Sequence, residues 1–213
     1  MVKFIFVRHG LSTTNNTGRF TGHLDAPLHE RGLKQAEQVA SYVAANFAVD
    51  TIYSSTSSRA YHTALPTAKA LGLPIIKSER LCEVSVGCWG GRTFEEIKRE
   101  YPTQYALWKE NIGLARYGDG ETTAEAQARM INEVNRIAAE NDNKTVFIAT
   151  HGAVLRALYC SWHGIPLEQL KDVPIVSNAS ISIATYEKGK GTFSLVGYDE
   201  HLLDKTPHIP HLV

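Results

Sequence analysis

The 213-residue chain has only three cysteines, Cys82, Cys88 and Cys160, and no CxxC pair among them, so a disulfide framework is not expected. No apolar run reaches the length needed to cross a bilayer. Lys3 interrupts the short apolar start and no small-residue cleavage site follows, which argues against a secretory leader. Charge of one sign is also missing: 22 Lys plus Arg balance 22 Asp plus Glu. No global field therefore gathers nucleic acid or a membrane surface, and any anion site must be built locally. Repeats, low-complexity tracts and linker-like stretches are absent. These gaps predict a single domain over residues 1–213 in a reducing, cytoplasmic setting, without nucleic-acid or membrane partners. At 43% hydrophobic and 21% charged residues, the composition is that of an ordinary globular protein.

What is present alternates. Val2–Val7 is almost continuously apolar, as in a strand covered on both faces. From Glu30 to Phe47, the residues Leu33, Ala36, Val39, Ala40, Val43 and Phe47 share one helical face. Asp50–Ser54 reads as a strand, Arg59–Leu71 as a helix and Pro74–Lys77 as a short strand. Residues 84–121 lose this regularity and resemble a cap-like insertion, with one helix expected around Thr93–Trp108. Thr122 and Glu125 form a capping box for a helix reaching about Glu140, with Met130, Ile131, Val134, Ile137 and Ala138 inward. Thr145–Thr150 is a strand and Ala153–Trp162 a helix. SISIATYE and TFSLVGYD form a hairpin joined by Lys188–Gly191. The pattern predicts an α/β sheet with helices on both faces, in three α/β/α layers.

In such sheets ligands bind beyond the carboxyl ends of the strands. Arg8 and His9 follow the first strand, Arg59 the second, Glu83 the third, and His151 follows TVFIAT directly. If they converge, two imidazoles, two guanidinium groups and a carboxylate suit phosphoryl transfer through a covalent intermediate. A neutral imidazole is a competent nucleophile near neutrality. Planar guanidinium forks match the phosphoryl oxygens that carry the developing charge. His151 and the amides of a helix opening at Gly152 would add donors, and Glu83 would protonate the leaving oxygen.

Four ordered motifs carry a resemblance. The first is Arg8-His9-Gly10-Leu11-Ser12, continuing through Asn15, Gly18–Gly22, Asp25, Pro27-Leu28, Gly32 and Gln35-Ala36. The others are Ser54–Ala64 (SSTSSRAYHTA), Leu81–Gly91 (LCEVSVGCWGG) and Thr150-His151-Gly152. Their order and spacing resemble the histidine phosphatase superfamily, in the branch that contains cofactor-dependent phosphoglycerate mutases. The resemblance implies a phosphoglycerate mutase-like fold, a mostly parallel sheet flanked by helices, needing no metal or other cofactor and acting on a small-molecule phosphate ester. It implies that His9 is transiently phosphorylated and that Arg8, Arg59 and His151 bind the phosphoryl group. Glu83 is then proton donor and acceptor, Asn15 a further phosphate ligand, and Thr21-Gly22 line the substrate side with Gly152 at the phosphoryl end.

One phosphoenzyme serves two outcomes. Trp108-Lys109-Glu110 stands where the mutases carry a tryptophan and two arginines, and Val86 stands where they carry a tyrosine. The third motif looks more like broad-range and α-ribazole-type phosphatases, so hydrolysis is expected over phosphoglycerate mutase activity. A phospho-ligand-binding module without catalysis is the alternative of another class. Asn15 and Thr21 also fit as turn-makers. Trp89, Arg116 and Tyr117 fit either substrate recognition or packing of the cap. His201, His208 and His211 lack metal-ligand spacing, and the tail they lie in has the alternative of folding over the site entrance.

Overall fold

In the computed structural model, residues 1–15 and 17–204 are described; His208 and His211, and most of the tail expected near the entrance, lie outside them. Six strands form one sheet: β1 (Val2–Arg8), β2 (Thr51–Ser55), β3 (Ile75–Ser78), β4 (Thr145–Thr150), β5 (Ile181–Glu187) and β6 (Lys190–Tyr198). Their order is β3-β2-β4-β1-β5-β6. The first four run parallel, while β5 pairs antiparallel with both β1 and β6. Phe4, Ile5, Phe6 and Val7 are fully buried in β1, which explains its unbroken apolar run. Each such side chain contributes roughly 1.5–3 kcal/mol by leaving water.

Helices cover both faces. On one, α1 (Glu30–Asn46) and α2 (Ser58–Leu71) bury Val39, Val43, Ala60 and Ala64 against Ile5, Val7, Ile52 and Phe147. On the other, Phe4, Phe6 and Ile148 share a cluster with residues of the later helices, among them Met130 and Leu158. Leu33 departs from the expected inner face of α1 and is 49% exposed. The buried stripe runs through Gly32, Gln35 and Ala36 instead, because Gly32 and Gln35 face the loop after β1. His29 caps this helix, its Nδ1 accepting from the Arg31 amide.

Between β3 and the next long helix lies the cap. The expected single helix over Thr93–Trp108 is two: α3 (Phe94–Glu100) and α4 (Pro102–Glu110). Tyr101 between them has φ −131° and ψ 54°. Pro102 disfavours the α conformation in the residue before it and suits the first position of a new helix. Thr93 starts α3 with a capping box. The same device at Thr122 and Glu125 starts α5 (Thr123–Glu140), where Met130, Val134, Ile137 and Ala138 are buried and Ile131 partly so. The last helix, α6 (Gly152–His163), ends on Gly164 in the left-handed region.

The closing hairpin is tighter than expected. Glu187 pairs with Lys190, and Lys188 and Gly189 both have positive φ, so two residues make the turn and Gly191 belongs to β6. The backbone after β1 is equally tight against α1. A Cβ on Gly32 would stand 2.0 Å from the Leu11 carbonyl oxygen. Gly32→Ala is therefore expected to destabilise the protein by about 1–3 kcal/mol, read as a lower urea midpoint with unchanged slope.

Candidate active site

The β1–β4 register pairs Arg8 with Thr150, so the next residues, His9 and His151, leave the sheet side by side. The His9 amide donates to the Thr150 carbonyl at 2.9 Å, and the two imidazole centroids are 5.1 Å apart. Nδ1 of His9 lies 2.8 Å from the Gly10 carbonyl oxygen. A carbonyl can only accept, so Nδ1 carries the proton and the lone pair sits on Nε2. His151 is fully buried beside His9. Its Nε2 contacts Ser55 Oγ at 2.8 Å, while its Nδ1 has no hydrogen-bond partner among the described residues. Burial first, then the Arg59 and Arg8 charges, push His9 well below the ordinary imidazole range. Burial, Arg59 and His9 do the same to His151.

The loop after β1 is pinned from three sides. Gly10 N donates to Thr63 Oγ1 and Leu11 N to Gln35 Oε1, both at 2.9 Å. From the far side, Asn178 Nδ2 donates to the His9 carbonyl at 3.0 Å, and the Ala179 amide to that of Arg8 at 3.0 Å. Asn178 is a positioning residue that no periodicity or motif singled out. Asn15 Oδ1 accepts from the Ser12 amide and hydroxyl, which fits a turn-making role and leaves the amide NH2 for the cavity. Thr21 Oγ1 donates to Thr14 Oγ1 at 3.0 Å. Gly22 has φ +48°, and a Cβ there would meet Val86 at 2.5 Å, so glycine is required.

Arg59, buried at the start of α2, uses its fork differently from the expectation. Nη1 donates to Leu24 O at 2.9 Å and Nη2 to Gly22 O at 2.7 Å. Two of the five N–H groups of a guanidinium thus hold the 22–24 loop. Arg8 donates through Nη1 to Val176 O, and its buried Nε has no hydrogen-bond partner among the described residues. Burial, then the neighbouring Arg59 and Arg156, bring Arg8 down to about 10 against the opposing pull of Glu83; it stays a cation at neutral pH.

Glu83 reaches the amino end of α6. Its Oε2 accepts from Ala153 N at 3.1 Å, and its Oε1 from Val154 N at 3.2 Å and Val84 N at 3.0 Å. Two of the amides expected to face a phosphate are therefore occupied by this carboxylate, which the helix dipole favours there. Gly152 lets Arg8 lie close, since a Cβ would stand 3.2 Å from Arg8 Nε.

Arg8, His9, Asn15, Thr21, Gly22, Arg59, Glu83 and Gly152 all line one cavity of about 100 Å³, where a water needs ~10–15 Å³. That is room for a phosphoryl group with a small organic remainder. His151 stands behind His9 and is not part of its wall. On the cap side, Arg19, Phe20, Phe94, Val84, Val86 and Tyr117 also line it. Of the three ambiguous cap residues, only Tyr117 reaches it. Trp89 is fully buried among Phe20, Tyr101 and Tyr117. Arg116 is turned to Gly120 O and Glu125. His201 packs on Tyr42 and Tyr198. Among the described residues no cluster of three metal-ligating side chains occurs, and no helix is long and apolar enough to cross a membrane.

This arrangement has close counterparts. The sequence model of the histidine phosphatase superfamily (branch 1) matches residues 4–199. Phosphoserine phosphatase 1 of Hydrogenobacter thermophilus is 34% identical over 202 residues, covering 95% of either chain. Among solved structures, Bacillus stearothermophilus YhfR superposes with a TM-score of 0.89 at 29% identity, covering 94% of this chain and 99% of its own. A phosphoserine phosphatase mutant of Entamoeba histolytica in complex with phosphoserine gives a TM-score of 0.84 at 25% identity, over 95% of this chain and 100% of that one. On its sequence, its fold and the lining of this cavity, the chain belongs to the histidine phosphatase superfamily, branch 1.

Proposed function

We propose that this protein is a metal-independent phosphomonoesterase that hydrolyses small phosphate esters through a phosphohistidine on His9. The observation that carries the proposal is the Nδ1–H bond of His9 to the Gly10 carbonyl. It fixes the tautomer that keeps Nε2 basic, in a cavity lined by Arg8, Arg59 and Glu83. In the first step Nε2 forms a bond to phosphorus while the ester P–O bond breaks. The remaining N–H groups of Arg8 and Arg59 stabilise the charge on the non-bridging oxygens. Glu83 gives a proton to the departing alkoxide. In the second step Glu83 takes a proton from water as the water oxygen attacks phosphorus and the P–N bond breaks. Inorganic phosphate leaves and neutral His9 returns. Throughout, the Gly10 carbonyl holds Nδ1–H and offsets the positive charge that phosphorylation places on the ring.

Hydrolysis is favoured over phosphoglycerate interconversion by the cap. Retaining the phosphoryl group for return needs cations that grip the substrate's second anionic group. Among the described residues, Arg8 and Arg59 line the phosphoryl end and Arg19 is the single cation lining the cap side, too few to hold a phosphoglycerate through transfer and return, while Lys109 stands outside against Trp108. Arg19, on the cap side with its Nη1 on Gly91 O, makes carboxylate-bearing esters the first to assay. Phosphoserine, named for two of the similar proteins, heads that panel.

The purified chain, with EDTA present, is expected to release phosphate from such a panel and to form no 2-phosphoglycerate from 3-phosphoglycerate supplied with 2,3-bisphosphoglycerate. His9→Ala should leave less than about one part in 10³ of that activity; retention at the wild-type level would remove the nucleophile assignment. Glu83→Gln should lower kcat/KM by ~10²-fold for alkyl phosphates, and far less for p-nitrophenyl phosphate, whose leaving group hardly needs a proton. Equal losses would count against the acid. In the free protein, a 15N-resolved titration should find His9 neutral, with its proton on Nδ1, from about pH 8 down to 6. An imidazole titrating in the ordinary range would contradict the burial and cationic surroundings described above.

A further inference from the structure

The proton-transferring Glu83 stands on a weakly structured segment. After β3 the chain makes one 3-10 turn, Glu79–Leu81, and then runs irregularly to a second at Gly87–Trp89. A catalytic carboxyl on such a stretch needs support from a rigid element, because a displacement of about 1 Å costs on the order of 10²-fold in rate. Arg129, on the second turn of α5, is placed to give it.

Every N–H of this guanidinium is used. Nη1 donates to Arg80 O at 2.8 Å and Cys82 O at 3.0 Å, and Nη2 to Glu83 O at 3.2 Å. Nε and Nη2 also meet Glu121 Oε1 and Oε2, at 2.8 and 2.9 Å. Glu121 in turn accepts from Ser85 N at 2.9 Å, and its own amide donates to Ser85 O at 2.9 Å. The carbonyl between these, Leu81 O, accepts from Thr150 Oγ1 at 2.8 Å. From the other side His23 Nε2 donates to Glu83 O at 2.6 Å, and His23 sits in the loop that Arg59 grips through Gly22 and Leu24.

We propose that Arg129, paired with Glu121, is a positioning residue that sets the Glu83 carboxyl for proton transfer by holding the 80–85 backbone against α5. Arg129 does not itself line the cavity, and it meets Glu83 only at the backbone carbonyl, not at the carboxyl. Lysine cannot replace it, since an ammonium offers three donors and no planar fork. The inference rests on the acid role of Glu83, so the test runs the two side by side.

The test compares kcat/KM for an alkyl phosphate with that for p-nitrophenyl phosphate, since this constant reports events up to formation of the phosphoenzyme. Arg129→Gln should lower the alkyl-to-nitrophenyl ratio about tenfold, a part of the ~10²-fold or more that general acid catalysis contributes. Arg129→Lys should fall between that variant and the wild type, and Glu121→Gln should shift the ratio in the same direction by a smaller factor. A merely structural tie would depress both substrates together. An unchanged ratio in variants that retain the wild-type circular dichroism spectrum would therefore overturn the proposal. If Arg129→Gln fails to fold, Arg129→Lys and Glu121→Gln decide the matter by the same ratio. Glu83→Gln is the control: if it leaves the ratio unchanged, the acid assignment fails; if it lowers the ratio while the Arg129 and Glu121 variants do not, only the positioning role fails.

Discussion

The parallel pairing of β1 with β4 is the constraint from which the site follows. Once Arg8 is opposite Thr150, the two imidazoles must emerge together at the carboxyl edge of the sheet. A slip of one residue would turn Arg8 and His9 to opposite faces and break the arrangement. Phe4–Val7 and Val146–Ala149 are fully buried, and a slip would carry the flanking Lys3 or Arg8 into that apolar interior, so the register is strongly preferred. The side-by-side placing of the two imidazoles is a by-product of core packing.

Electrostatics then divides the labour. Buried cations need partners, and both arginines find part of theirs in backbone carbonyls: Val176 for Arg8, Gly22 and Leu24 for Arg59. Those bonds shape the loops and leave donors over for an anion. Burial and the same positive surroundings favour the neutral imidazole of His9. On the proposed function, a bound phosphoryl group completes the charge distribution that these side chains set up.

Much of this was readable in the amino-acid sequence, and the failures have physical causes. Strands, long helices and capping boxes could be read because periodicity and caps act over a few residues. The motif residues His9, Arg59 and Glu83 could be read because each follows a strand or opens a helix. Leu33 and the break at Tyr101 could not be read from apolar spacing alone. One depends on which loop presses on α1, the other on a proline that overrides the pattern. The engagement of the α6 amides by Glu83, and the bonds of Asn178 and Arg129, join segments dozens of residues apart. Nothing local announces them.

The division of the cap into two short helices has a consequence for how the protein changes over time. Helices of seven and nine residues are too short to persist alone, so their order is borrowed from the ring cluster of Phe20, Trp89, Phe94 and Trp108. Exchanging one ring for another there would remodel the organic end of the cavity while the sheet edge stays as it is. Selectivity and chemistry are housed in separately mutable parts, and a lineage can retune the first without relearning the second.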